Sequence, residues 1–145
     1  MSGEDGLTYL RRLIGNDPGS PMSRTMRMRI VAVAEGSATM RADPTPDFHN
    51  PQERLHGGYA ATLIDSAMGC AVQTKLAADT GYGTIEMKVS YVGKLDAASG
   101  PLTCVATVLH AGRTLFTAEA KVFDASGKLR AHGSGTFLVF PGQGA

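Results

Sequence analysis

One stretch of this chain has room for only one kind of element, and everything after it reads as another. From Gly58 the sequence runs about twenty residues to Lys75 and Leu76 without a proline, and its good helix formers are interrupted only by Gly69. We read it as one long helix. Four strand-like segments follow: Tyr82 to Val92, Leu102 to Leu109, Thr114 to Phe123 and Leu129 to Phe140. They are parted by Asp96 to Pro101, by Ala111-Gly112 and by Asp124 to Gly127, and the last two gaps are short enough for antiparallel hairpins.

Before the helix, Leu7, Leu10, Leu13 and Ile14 form a short helical stripe closed by Gly15-Asn16-Asp17-Pro18-Gly19. From Thr25, residues Met26, Met28, Ile30 and Ala32 alternate with Arg27, Arg29 and Val31 as a first strand. Gly36 turns the chain into a second at Ser37 to Arg41, and Pro44 and Pro46 open the loop to the helix. The expectation is an α+β domain in which the helix lies against a curved antiparallel sheet of five to six strands. It occupies residues 1–145 as one domain, with residues 1–20 as a helical N-terminal segment.

At about 100° per residue, Ala60, Leu63, Ile64, Ala67, Met68 and Ala71 share one helix face suited to packing on a sheet. Asp65 lies on the other side with Gly58, Ala61, Thr62, Gly69 and Val72, a strip of small side chains that a ligand or second subunit could approach closely. A carboxylate there is either a solvent-facing residue of an amphipathic helix or a group with a task. At the helix start, Gly57 and Gly58 have no Cβ, and the first amides of a helix have no intrahelical partner. Such N–H groups can donate to an oxyanion, with the helix dipole adding to the field.

Composition narrows the partners. A net charge of +1 and the absence of basic runs give no general reason to bind nucleic acid or an anionic membrane. No stretch reaches about 18 apolar residues, and the N-terminus lacks a basic start and an apolar signal-peptide core, so the cytoplasm is the expected location. Cys70 and Cys104 have neither zinc nor redox spacing and read as reduced, buried thiols. His49, His56, His110 and His132 lack zinc-ligand spacing, there is no Gly-x-Ser-x-Gly elbow, and Gly81-Tyr82-Gly83 is no phosphate loop. No metal or cofactor is expected. Glu86 reads as a sheet-face acid, with Lys88 or Lys121 as candidate ion-pair partners.

The segments Asn50-Pro51, Leu55-His56-Gly57-Gly58 and Leu63-Ile64-Asp65-Ser66-Ala67-Met68-Gly69-Cys70-Ala71, with the strand Gly83 to Val89 and the closing strand Gly127 to Phe140, resemble the hotdog-fold acyl-CoA thioesterases. The likeness is greatest to the subgroup of the phenylacetate-pathway thioesterases (PaaI-like), and it covers nearly all of the chain after residue 20. It implies hydrolysis of a small aromatic or medium-chain acyl-CoA to the acid and free CoA. Asp65 would be the carboxylate that activates water or attacks the thioester. Gly57 would polarise the carbonyl through its N–H, and Asn50 would orient the water or the carbonyl. His56 either lies by that carbonyl or pins the loop, and Thr84 is either a hydroxyl reaching the water from the neighbouring subunit or an ordinary strand threonine.

Gly58 would sit against the substrate. Lys88, Lys94, Arg113 and Arg130 are candidates for the coenzyme A phosphates or else surface cations, with Arg113 preferred. The resemblance further implies a homodimer or a homotetramer built as a dimer of dimers. Glu53 departs from the glycine of many relatives three residues before the histidine, and would be strained if that position needs φ > 0. Two rival readings remain: a hydratase or dehydratase of acyl thioesters with the same fold, and a non-catalytic acyl-CoA binding module.

Overall fold

The computed structural model describes residues 3–16 and 19–142. Asp17 and Pro18 of the expected first turn lie outside the described residues. Helix α1 (Gly6–Leu13) starts at Asp5, whose side chain accepts from the Thr8 N–H. Helix α2 (Pro21–Thr25) is capped by Ser20 and has Pro21 in its first turn. This corrects the expected first strand: Thr25 ends a helix, and strand β1 (Met28–Ala34) begins only after Arg27, whose φ of 57° breaks the chain direction. The Ser20-Pro21 pair is a helix start hidden in a segment whose methionines happen to alternate.

The remaining elements follow the expected order. They are β2 (Ser37–Ala42), the long helix α3 (Gly57–Gln73), β3 (Thr80–Tyr91), β4 (Leu102–Ala111), β5 (Leu115–Phe123) and β6 (Leu129–Pro141). They form one six-stranded sheet in the order β1-β2-β4-β5-β6-β3, and every neighbouring pair is antiparallel. Strands β1 and β3 are therefore the edges.

The face expected for the helix is the one buried: Leu63, Ile64, Ala67, Met68 and Ala71 are fully enclosed. Each of the larger ones contributes roughly 1.5–3 kcal/mol of apolar transfer energy. Across from them the sheet offers mostly small residues, Ala38, Ala106, Ala118, Ala120 and Ala131, with Met40, Val122 and Phe137 filling the gaps. Small residues bring the helix close to the sheet: a Cβ on Gly133 or Gly135 would stand 3.0 Å from Ile64 Cγ2 or Met68 Cε. Gly69 and Val72, expected on the open strip, are buried as well.

Strand β3 carries a register shift between Thr84 and Glu86. Such an extra residue reverses the alternation of a strand. Tyr82 and Thr84 before it, and Met87, Val89 and Tyr91 after it, face α3, whereas Glu86 and Lys88 turn to the outer surface. Glu86 accepts a 2.6 Å hydrogen bond from Thr136 Oγ1 in place of the expected ion pair.

Candidate active site

The site is built around the start and middle of α3. A loop held by Asn50 delivers the chain to the helix: Asn50 Oδ1 accepts from the Gln52 and Arg54 N–H groups at 2.9 and 3.2 Å, and its carbonyl accepts from Glu53 N–H. Glu53 stands at φ 57°, the left-handed conformation that its glycine counterpart would take freely. His49 Nε2 accepts from the Ala97 N–H at 2.9 Å, tying the same loop to the segment before β4. Sequence reasoning gave His49 no such part, because the tie depends on a residue 48 positions away.

His56 is the N-cap of α3, and its Nδ1 accepts from the Gly58 N–H at 2.8 Å. That bond fixes the ring so that any proton on neutral His56 sits on Nε2. It also occupies the Gly58 donor. The Gly57 N–H finds no acceptor among the described residues, while its carbonyl accepts from Tyr91 Oη. The Tyr91 ring lies where a Gly57 Cβ would project, 3.2 Å from its Oη and 3.3 Å from its Cζ. Tyr91 was not among the residues singled out by sequence, since the reversed parity of β3 that aims it at Gly57 leaves no mark in the sequence.

Two turns further along α3, Asp65 is partly buried, and its Oδ1 accepts a 2.8 Å hydrogen bond from Thr84 Oγ1. Strand and helix of the same chain thus meet at this carboxylate. Gly57 and Asp65 are eight residues apart, which at 1.5 Å per residue is about 12 Å along the axis. One carbonyl cannot touch both groups of a single helix.

Beside the helix start lies a cavity of about 320 Å³, lined by Met26, Asp47, Phe48, His49, His56, Gly58 and Tyr59. Phe48 and Tyr59 stack with centroids 4.7 Å apart, and Tyr59 Oη donates to the Met26 carbonyl. Burial, with Asp43 adding, pushes the Tyr59 phenol up to about 12. Of the candidate phosphate cations, Arg130 is paired with Asp124 at 2.7 Å and Lys94 with Asp96 at 3.5 Å. Arg113 is exposed in the β4–β5 turn, and Lys88 is on the outer sheet face away from α3, so the structure does not bring Lys88 to Asp65 within one chain.

A long helix laid against one curved six-stranded antiparallel sheet defines the hotdog class. The chain is similar to the solved structure of a conserved protein of Pseudomonas aeruginosa, 34% identical with a TM-score of 0.78 over 84% of this chain and 95% of that one. Residues 52–131, more than half of the chain, match the Thioesterase superfamily, and the chain belongs to that family of thioester hydrolases. A Halobacterium salinarum protein that carries an esterase name is 41% identical over 101 residues, 63% of this chain; the chain spans 65% of that relative's length. The 1,4-dihydroxy-2-naphthoyl-CoA hydrolase of Listeria monocytogenes is 26% identical over 108 residues, covering 74% of this chain and 86% of that one. No helix among the described residues is long and apolar enough to cross a membrane.

Proposed function

We propose that this chain hydrolyses acyl-CoA thioesters with a small aromatic or medium-chain acyl group, in a site shared by two copies. The observation that carries the reading is the pairing of an unoccupied donor at Gly57 with the held carboxylate of Asp65, about 12 Å apart along one helix and so too far to serve one carbonyl. A second copy supplies what is missing. Strand β3, which carries Thr84, is a 12-residue edge strand, and an unpaired edge of that length is a template for a second chain.

In this scheme the partner's Gly57 N–H takes the thioester carbonyl oxygen, and Asp65 faces the carbon. Asp65 either removes a proton from the attacking water or attacks directly to form an anhydride that water then opens. In the first route the water oxygen bonds to the carbonyl carbon, negative charge moves to the oxygen at Gly57, and collapse expels the thiolate, which takes the proton from Asp65. Thr84 holds Oδ1, so Oδ2 is the oxygen that acts. Asn50 and His56 shape the loop that presents Gly57; Gly58 contributes a bare Cα beside the substrate. Arg113 is the preferred contact for a coenzyme A phosphate, with Lys88 the weaker candidate.

A hydratase would want His56 paired with Asp65. Within one chain nine residues part them, so that couple too would need a second copy, and with Nδ1 taken by the Gly58 N–H it would have to work through His56 Nε2. The test is thiol release from a panel of aromatic and aliphatic acyl-CoAs by the wild-type protein and by Asp65→Asn, with circular dichroism on both. Release that vanishes in the folded variant is the expected result; no release from any ester by the wild type overturns the proposal and favours a binding module.

A further inference from the structure

We infer that His49 is a positioning residue of this site: by accepting from the Ala97 N–H it sets where the Gly57 N–H points, and with it the rate of the chemical step. The inference rests on the reading that the Gly57 N–H receives the thioester carbonyl oxygen.

Residues 48–56 close on themselves as a narrow ribbon. His49 and Leu55 form an antiparallel bridge, in which the His56 N–H donates to the Phe48 carbonyl at 2.9 Å and the Asn50 N–H to the Arg54 carbonyl at 2.7 Å. Two hydrogen bonds dock this ribbon on the segment before β4, one from each of its sides. The Leu55 N–H donates to the Leu95 carbonyl at 2.8 Å, and His49 Nε2 accepts from the Ala97 N–H at 2.9 Å. The segment is itself anchored: Leu95 is buried, Asp96 and Ser99 cap each other across the 3₁₀ turn Ala97–Ser99, and the Ser99 carbonyl accepts from the Ala125 N–H at 3.1 Å. His49 therefore ties the ribbon to a part of the chain that is held from elsewhere.

The path from this tie to the oxyanion donor is short. The Gly57 N–H belongs to the peptide that joins His56 to Gly57. The carbonyl of that peptide accepts from the Tyr59 N–H at 2.9 Å, and the His56 N–H is held by the carbonyl of Phe48, the residue next to His49. A peptide is planar, so fixing its carbonyl and the residue before it fixes the direction of its N–H. Without the imidazole the Ala97 N–H loses its acceptor, and the Leu55 bond becomes a single point about which the ribbon swings. Misplacing a catalytic group by about 1 Å costs up to about a hundredfold in rate. His49 accepts through Nε2, so its neutral ring carries the proton on Nδ1, the reverse of His56. What the ribbon needs from this ring is an acceptor, which an amide oxygen can replace.

The experiment breaks the bond from both ends and then restores it. Steady-state thiol release from an acyl-CoA that the wild type hydrolyses is measured for His49→Ala, His49→Gln, Ala97→Pro and Asp65→Asn, with melting curves on each. Ala97 opens its 3₁₀ turn, and Asp96 before it is extended at φ −149° and ψ −178°, so proline suits the backbone there and removes the donor. His49→Ala and Ala97→Pro should each lower kcat by about tenfold or more with KM within about twofold, and His49→Gln should recover most of the loss. Wild-type kcat in folded Ala97→Pro, a His49→Gln no better than His49→Ala, or a loss confined to KM overturns the role of His49 while leaving Asp65 in place. Hydrolysis that persists in Asp65→Asn, by contrast, overturns the reading of the site beneath it.

Discussion

Thr84 Oγ1 donates a 2.8 Å hydrogen bond to Asp65 Oδ1, joining the strand at the sheet edge to the middle of the helix that crosses it. The bond leaves the second carboxylate oxygen free and fixes the plane in which it points. Thr84→Val should therefore lower kcat by about tenfold with little change in KM, the worth of one net hydrogen bond to a charged group. Thr84→Ser should restore most of it. Steady-state kinetics on the three proteins decides the matter, and a KM effect alone would show that Thr84 only contacts substrate.

Tyr91 clamps the helix start from the other end of the same strand, donating to the Gly57 carbonyl and covering its Cα. Removing the hydroxyl frees the Gly57 carbonyl, one Cα away from the N–H proposed to receive the developing oxyanion. Tyr91→Phe should then reduce kcat several-fold at unchanged KM, and Tyr91→Ala should reduce it further. Equal kcat in all three proteins would remove Tyr91 from the positioning of Gly57.

Much of this architecture was legible in the sequence because long-range order followed from local punctuation. The proline-free run after Gly58 and the short gaps at Ala111-Gly112 and Asp124–Gly127 marked the helix and hairpins to within a few residues. The apolar helix face was read correctly down to Met68 and Ala71, since burial there depends only on the 3.6 period. The bulge in β3 left no such mark. It moved Lys88 to the outer face and aimed Tyr91 at Gly57, and only backbone pairing with β6 reveals it. Gly69 was read as open ground for a ligand, whereas it is filled by Tyr82 from a strand thirteen residues away. The doubt over Glu53, by contrast, followed from residue chemistry, and its φ of 57° is the conformation that chemistry disfavours.

That strain is testable as stability. Glu53 is exposed and its side chain makes no hydrogen bond or ion pair among the described residues, so little is lost with it. Glu53→Gly relieves the left-handed backbone at some cost in chain entropy, for a net gain of about 0.5–1 kcal/mol. The thermal midpoint should rise by about 1–4 °C. A fall in the midpoint would mean that the Glu53 side chain supports the loop in a way the geometry does not show.

The two thiols should stay silent in assays that count liberated coenzyme A. Burial pushes both thiols up to about 12, Cys104 fully enclosed and Cys70 partly so, and at pH 8 the thiolate is a small minority of either. Native protein should titrate with far fewer than two fast thiols per chain, and denatured protein with two. A fast-reacting thiol in the native state would place Cys70 in a more open setting.

Acid should expose the contribution of Asp124. Its Oδ1 accepts from the Ser126 hydroxyl at 2.6 Å and from the Ser126 and Lys128 N–H groups at 2.9 and 3.1 Å, while Oδ2 accepts from Arg130 Nε at 2.7 Å. These bonds, the Ser126 hydroxyl first and Arg130 next, hold the carboxyl well below its ordinary value of 3.8. A carboxylate whose folded pKa lies below its unfolded one stabilises the fold above the unfolded value and loses that contribution as pH falls toward the folded value. The window therefore opens near pH 4 and extends downward, and nothing from this group changes between pH 5 and 8. Asp124→Asn should melt below the wild type at pH 7, with the gap narrowing as the pH is lowered from 4 toward 2. Thermal midpoints taken across that range check it: a gap that stays constant would assign the difference to the shape of the β5–β6 turn and not to its charge.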